Sequence, residues 1–147
     1  MPANNLPMYV KAVSNSSTGG NTKTFSAPIT AAANDFTGAG ANNVLVATMD
    51  STNGSFLLGF MCKANGTNVA TVARMFLNNG STNATATNNT FIGEMGFTAT
   101  TAAAAGLTSN DIWWPINRPF EPGTRIYIGL GTAVAAGWQF TPHYGSY

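Results

Sequence analysis

Short apolar runs, each ended by glycine, asparagine, serine or proline, recur along most of the 147-residue chain. The runs favour β-branched, aromatic and large apolar residues, a composition typical of strands. Regular short strands with turn signals predict a β-sandwich or a barrel, in one domain spanning residues 1–147. The predicted strands are Met8–Ser14, Thr24–Ile29, Asn43–Met49, Ser55–Lys63, Asn68–Leu77, Thr90–Phe97, Ile112–Trp114, Arg125–Leu130 and Trp138–Thr141.

Three other segments are interpreted as connections. "STGGNT" and "FTGAGANN" are rich in glycine and asparagine and indicate flexible connections. "TTAAAAGL", Thr100 to Leu107, is either one helical turn ended by Gly106 or a loop. Its short length favours the loop, because an isolated helix of this length is marginal in water.

The most specific local signal lies within Phe56–Gly80, where Asn65-Gly66 separates two apolar runs. This dipeptide suits a two-residue type I′ hairpin turn, because both residues tolerate positive φ. Such a turn would also set the pairing register of the two strands. The predicted register places Ala64 opposite Thr67, Cys62 opposite Val69, Phe60 opposite Thr71, Leu58 opposite Ala73 and Phe56 opposite Met75.

Both faces of this predicted hairpin are apolar. The face assigned to the core carries Phe56, Leu58, Phe60, Cys62, Val69, Thr71, Ala73 and Met75. The other face has a single charge, although a face turned to water is normally polar. We therefore expect this second face to be covered by a loop of the same chain or by another chain. Its interface candidates are Leu57, Met61, Val72, Arg74 and Phe76.

Aromatic residues in the last third of the chain are further candidates for an interface. Trp113 and Trp114 are adjacent, so on a strand they point to opposite faces and at most one fits the core easily. Trp138 is expected in the core. Near the C-terminus, Tyr144 and Tyr147 either fray or anchor on a neighbour. The interface candidates of this region are Trp113, Trp114, Tyr144 and Tyr147.

Few residues carry reactive chemistry. His143 is the single histidine, and no G-x-S-x-G motif marks a nucleophile for it. Cys62 is the single cysteine; it cannot form an intramolecular disulfide, and its apolar context predicts a core position. None of the five carboxylates is paired locally, and zinc or calcium motifs are absent. We predict no enzyme activity, with no catalytic, cofactor-binding or metal-binding residues.

Charged residues make up 7% of the chain, against roughly 25% in average soluble domains. The net charge is +1 and the cations are scattered, so we expect no nucleic-acid partner. No run approaches the length of a membrane span, and no secretory signal pattern opens the chain, so we expect no membrane partner. Two interpretations remain: a neutral, hydroxyl-rich β protein, or a subunit largely covered by partners.

Two stretches carry a resemblance. "ANGTNVATVARMFLNNGSTNATATNNT", followed by "INRPFEPGTRIYIGLGTAVAAGWQFT", resembles small virion proteins of tailed bacteriophages, of the capsid decoration or cement type. The resemblance covers about Phe56–Tyr147. It rests on the residue composition and on the order of the segments. It implies a jelly-roll-like β-sandwich, often trimeric, that binds the major capsid protein. It also implies that residues 1–22 form an N-terminal arm, although they fit the first strand of the sandwich equally well.

The predicted function is therefore structural. We expect an all-β, jelly-roll-like sandwich that acts as a capsid decoration protein, a homotrimer on the capsid surface of a virion. The alternatives are a host-attachment or carbohydrate-binding module of the virion, and a tail or head–tail connector component.

Overall fold

A computed structural model describes residues 26–102 and 111–146, which form seven strands and one short 3-10 turn at Ala86–Asn88. The strands are β1 (Val44–Thr48), β2 (Ser55–Ala64), β3 (Thr71–Asn78), β4 (Asn89–Phe97), β5 (Ile112–Phe120), β6 (Arg125–Leu130) and β7 (Trp138–Ser146). They build a four-stranded sheet, in the order β1-β6-β3-β4, and a three-stranded sheet, in the order β5-β2-β7. All pairings between these strands are antiparallel. The expected all-β sandwich-like architecture is confirmed.

From Asn43 onward, the predicted strands recur with small shifts at their ends, except for two that are longer. β5 continues through Pro115 and Pro119, and β7 continues through Pro142. Both are outer strands of the three-stranded sheet. Proline is tolerated there, because an outer strand has one side on which no ladder hydrogen bond is needed.

Several sequence predictions lie outside the described residues. These are the strand Met8–Ser14, the arm or strand at residues 1–22, most of the loop from Thr100 to Leu107, and the interface candidate Tyr147. The described part of the predicted strand Thr24–Ile29 pairs at one point only. There, Ile29 and Trp138 exchange two backbone hydrogen bonds, of 2.9 and 3.0 Å, in an isolated antiparallel bridge.

The predicted hairpin at Asn65-Gly66 is wrong, because β2 and β3 belong to different sheets. Cys62 pairs with Ile112 and Phe140, not with Val69. Phe60 pairs with Trp114 and Pro142, not with Thr71. The connection that contains Asn65-Gly66 therefore crosses from one layer of the sandwich to the other.

Asn68 explains why this connection crosses between the sheets. Its side chain is 3% exposed and binds the loop between β6 and β7. Its Nδ2 donates to the carbonyl of Gly137 at 3.0 Å, and its Oδ1 accepts from the backbone N–H groups of Ala136 and Gly137 at 2.8 and 2.9 Å. These buried hydrogen bonds to a distant segment outweigh the local turn preference of Asn-Gly.

The predicted faces of β2 also need a correction. A β-bulge between Leu57 and Gly59 shifts the register against both neighbouring strands. A bulge inserts an extra residue, so side-chain alternation restarts after it. Leu57 therefore enters the same core as Phe60 and Cys62, whereas Phe56 and Leu58 are half-buried outside that core.

One apolar core lies between the two sheets. The ring centroid of Phe97, on β4, is 4.2 Å from the ring centroid of Trp138 and 5.9 Å from that of Phe140, both on β7. Ile126, Ile128 and Leu130 of β6 are fully buried on one face, as their alternation predicts. Cys62 is also fully buried, and desolvation raises the pKa of its thiol to about 12. The core prediction for Trp138 and Cys62 is confirmed.

Candidate interaction surface

The predicted interface residues separate onto two opposite faces, because β2 and β3 lie in different sheets. Met61 and Trp113 lie on the outer face of the three-stranded sheet. Val72, Arg74 and Phe76 lie on β3 in the four-stranded sheet. Each outer face therefore forms a candidate surface of its own.

Three predicted interface residues are buried within the chain. Leu57 and Phe76 are 0% exposed, and Trp114 is 7% exposed. Leu57 and Trp114 belong to the core, and Phe76 is covered on its outer side, as described below. These three side chains present almost no surface to a partner. Met61, Val72, Arg74 and Tyr144 are partly buried.

The outer face of the three-stranded sheet, called the open face below, is centred on β2. It carries Phe56, Leu58, Met61, Trp113 and His143. Strand pairing places Trp113 directly beside Met61, and His143 directly beside Gly59. Four of the five side chains are only partly buried, and Trp113 keeps 43% of its surface exposed. Apolar side chains thus cover a sheet face that water would normally contact.

Gly59 lets Trp113 lie across the middle of the open face. A Cβ atom at Gly59 would come within 2.8 Å of Trp113 Cζ2 and would collide with the carbonyl oxygen of Trp114. The indole reaches His143 on the far strand, with ring centroids 5.4 Å apart and planes at 80°. This edge-to-face contact holds Trp113 in place while leaving much of the ring exposed.

Charge lies at one end of the open face. Lys63 Nζ, on β2, is 2.8 Å from Asp111 Oδ1, next to β5. Both side chains are about half exposed, at 50% and 48%. An ion pair this exposed contributes little to stability, because water and salt screen it. It gives the end of the open face one charge of each sign.

The outer face of the four-stranded sheet is covered by residues 34–43, called the strap below. Gly38 of the strap lies against Phe76, since a Cβ atom there would come within 3.0 Å of the Phe76 ring. Its φ of +75° is a conformation that favours glycine. The ring centroids of Phe36 and Phe91 are 6.0 Å apart. Phe91 in turn packs on Phe76, with ring centroids 5.7 Å apart. The strap therefore buries the centre of this face.

Asp35 holds the strap in its folded shape. Its carboxylate accepts hydrogen bonds of 2.8 Å from the backbone N–H groups of Thr37 and Gly40, from the Thr37 hydroxyl and from Asn43 Nδ2. Desolvation by itself would raise the pKa of Asp35, but these hydrogen bonds outweigh it and hold the pKa well below its ordinary value. The segment "FTGAGANN", interpreted from the sequence as a flexible connection, forms most of this hydrogen-bonded strap.

Arg74 lies beneath the strap. Its Cζ atom is 3.9 Å from the centre of the Phe36 ring, a cation–π contact. Its Nε is 3.6 Å from Glu94 Oε2 on the neighbouring strand, a distance too long for a hydrogen bond. The Arg74 side chain is 12% exposed and that of Glu94 is 52% exposed. Glu94 is therefore the more exposed member of this pair.

Two aromatic rings remain exposed above the strapped face. Phe36 is 61% exposed and Phe91 is 40% exposed, and the two rings are in edge-to-face contact. Phe36 was not among the predicted interface residues, because it stands alone in a glycine-rich segment. The sequence signal that could have found it is the pair Asp35 and Thr37, a spacing typical of a local Asx turn.

The cleft near the β5–β6 turn offers little reactive chemistry. A cleft of about 390 Å³ beside the β5–β6 turn is lined by Arg118, Glu121 and six other residues, none of them histidine, cysteine or serine. Within residues 26–102 and 111–146, no three His, Cys, Asp or Glu side chains lie close enough to hold a metal ion. The same residues contain no helix that is long and apolar enough to span a membrane.

Comparisons with protein-family models, with curated proteins and with solved structures give no match to this chain. The function is therefore argued from the two outer faces.

Proposed function

We propose that this chain is a structural virion protein of the capsid decoration type, which binds the major capsid protein through its open face. In this proposal the protein is a homotrimer on the capsid surface and stabilises the particle. The observation that carries it is the open face itself, where Trp113 keeps 43% of its surface exposed, lies against Gly59 and pairs with Met61. An exposed apolar surface on a β-sheet is typical of a protein interface.

The scarcity of charge supports an assembly function. With 7% charged residues and a net charge of +1, neighbouring copies on a lattice repel one another only weakly. The contacts available to such a chain are apolar burial and neutral hydrogen bonds. Tryptophan, with a large apolar ring and one polar N–H group, is enriched among residues that dominate binding energy.

The strand order supports a jelly roll. An eight-stranded jelly roll, with strands B to I, has the sheet orders C-H-E-F and G-D-I-B. If β1 to β7 correspond to C to I, the orders β1-β6-β3-β4 and β5-β2-β7 correspond to C-H-E-F and G-D-I. Strand B would then precede β1 and lie beside β7. Ile29 precedes β1 and pairs antiparallel with Trp138, at the start of β7.

The test compares particles assembled with and without this chain. We expect particles that lack it to open at lower temperature, and added protein to restore the original temperature. Trp113→Ala should fail to restore it, whereas Val69→Ala should succeed, since Val69 is an exposed apolar residue outside both sheet faces. Particles that are equally stable without the chain would contradict the proposal.

A carbohydrate-binding module of the virion is the second candidate, favoured by one observation. The exposed Trp113 ring is supported by Gly59 beneath it and His143 beside it, and such a ring can stack on a sugar. A glycan array would test this candidate. Retention of a glycan by the original chain and its loss in Trp113→Ala would favour attachment over capsid decoration.

A further inference from the structure

The dipeptide Asn-Gly occurs three times in the chain, at Asn53-Gly54, Asn65-Gly66 and Asn79-Gly80. Such a pair can modify itself, since the backbone nitrogen of the glycine can attack the side-chain amide of the asparagine and close a succinimide ring. Glycine offers the least hindered nitrogen for this attack, because it has no Cβ atom. The three pairs share this chemistry, so a difference between them must come from how the fold holds each pair.

Two of the three glycine nitrogens are engaged by the fold. The N–H of Gly54 donates to the carbonyl of Asp50 at 3.2 Å, and Gly54 is buried where a Cβ atom would collide with the carbonyl oxygen of Phe120. The N–H of Gly80 donates to Asn78 Oδ1 at 2.9 Å. Each of these hydrogen bonds must break before the nitrogen can attack, and this lowers the fraction of molecules that can react.

The side chain of Asn79 is held as well. Its Oδ1 accepts from the backbone N–H of Ser81 at 3.1 Å, and its Nδ2 donates to Asn88 Oδ1 at 3.3 Å. Ring closure at Asn79 would require the side chain to turn away from both partners. The fold therefore protects this pair at the amide that is attacked and at the nitrogen that attacks it.

Asn65-Gly66 lacks both kinds of protection. In the part of the chain that the structure describes, neither the N–H of Gly66 nor the side-chain amide of Asn65 has a hydrogen-bond partner. Asn65 is exposed and Gly66 is half-buried, so water reaches the pair. Both reacting groups belong to neighbouring residues, and this proximity favours ring closure over reaction with a separate molecule.

We infer that Asn65 is a self-modification site, which deamidates in the folded chain faster than Asn53 or Asn79. The Gly66 nitrogen loses its proton to hydroxide and bonds to Asn65 Cγ, while the Cγ–Nδ2 bond breaks and Nδ2 leaves as ammonia. Water then opens the ring at one of its two carbonyl carbons. Opening at Cγ leaves aspartate, and opening at the main-chain carbonyl leaves isoaspartate. No group is oxidised or reduced, and the inference does not rest on the proposed function.

Isoaspartate would alter the connection that crosses between the two sheets. The N–H of Asn65 donates to the carbonyl of Gly137 at 3.0 Å, and the side chain of Asn68 binds the same loop. Between these two attachments, Gly66 lies close to Ala136, since a Cβ atom at Gly66 would come within 2.8 Å of Ala136 Cβ. Isoaspartate adds a methylene group to the main chain at this point, whereas aspartate leaves the main chain unchanged. Isoaspartate should therefore loosen the connection, and aspartate should not.

The experiment incubates the folded full chain at neutral and at mildly alkaline pH, and then measures deamidation by peptide mass spectrometry. Trypsin places the three pairs on separate peptides, because Lys63 and Arg74 lie between them in sequence. We expect Asn65 to deamidate about tenfold or more faster than Asn53 and Asn79, whose pairs must first break hydrogen bonds. The rate at Asn65 should rise with pH, since the attacking nitrogen must lose its proton. The same chain unfolded in denaturant is the control, in which the three sites should react at similar rates.

Two variants separate the chemistry from its structural consequence. Asn65→Gln should not react on this timescale, because glutamine would have to close a larger ring, and Asn65→Asp reproduces the new charge without lengthening the main chain. Denaturant unfolding should show a loss of stability in the aged original chain, and little loss in aged Asn65→Gln or in fresh Asn65→Asp. Equal rates at the three sites of the folded chain, or no deamidation at Asn65, would overturn the inference. An aged chain that contains isoaspartate and keeps its full stability would overturn the predicted loosening.

Discussion

Phe76 and Trp113 are both large aromatic residues on the outer faces of their sheets, yet their surroundings differ completely. Phe76 is 0% exposed because the strap and Phe91 cover it, whereas Trp113 keeps 43% of its surface exposed. The strap is part of the same chain and is held by Asp35. An apolar outer face therefore does not by itself indicate a partner, since a nearby loop can bury it.

The largest expected effect comes from removing the covered ring. Phe76→Ala should lower the free energy of unfolding by about 3–5 kcal/mol, because it leaves a cavity between the strap and β3. Met61→Ala, on the open face, should cost clearly less because Met61 is only partly buried. Denaturant unfolding of the two variants measures the difference. Equal losses would mean that the two faces are equally buried in solution.

The next effect concerns the glycine beneath Trp113. Gly59→Ala should lower the free energy of unfolding by about 1–3 kcal/mol, since a Cβ atom there collides with the Trp114 carbonyl and the Trp113 ring. It should also displace Trp113 and change its near-ultraviolet circular dichroism. Gly96→Ala is the matched control, because a Cβ atom at Gly96 meets nothing within 4 Å. Similar losses in both variants would argue against the close contact at Gly59.

A smaller effect is expected at the carboxylate that holds the strap. Asp35→Asn should lower the free energy of unfolding by about 1–2 kcal/mol at neutral pH, because the amide can accept fewer of the four hydrogen bonds. The pKa of Asp35 is lowered by folding, so its stabilising contribution is complete above its unfolded pKa of about 3.9. The contribution is lost as the pH falls below that value toward the lowered folded pKa.

Unfolding measured at pH 7 and at successively lower pH therefore tests the strap. The difference between the original chain and Asp35→Asn should shrink as the pH falls below about 4. Asp111→Asn is the control, because Asp111 lies in an exposed ion pair with Lys63 and its removal should change stability only slightly. A difference that does not change with pH would mean that the ionised carboxylate does not hold the strap.

Local patterns predicted much of the fold. Alternation located β6 at Arg125–Leu130, because one face of that strand meets the core and the register has no bulge against β3. The Asn65-Gly66 hairpin failed because Asn68 binds a loop almost seventy residues away in sequence, which no local pattern reveals. The bulge at Leu57 was missed for a similar reason, since it is defined only against the neighbouring strands.

The candidate surfaces were predicted in part. The adjacent tryptophans indicated that one ring would lie outside the core, and Trp113 is that ring. The expectation that the face containing Phe76 is covered is met by a loop of the same chain, which was one of the two alternatives. Phe36 was missed because its exposure depends on how Asp35 folds the strap over Arg74, a contact between segments almost forty residues apart.

The smallest expected effect on stability is that of Trp113→Ala. Its ring keeps 43% of its surface exposed and contacts Gly59 and His143, so the free energy of unfolding should fall by about 1 kcal/mol, well below the loss expected for Phe76→Ala. The same substitution should strongly weaken binding to a partner of the open face, since the loss falls mainly on the contact. Denaturant unfolding and sedimentation of the same sample measure both quantities. A large loss of stability would mean that Trp113 packs as a structural residue, and the contrast between an open face and a covered face would disappear.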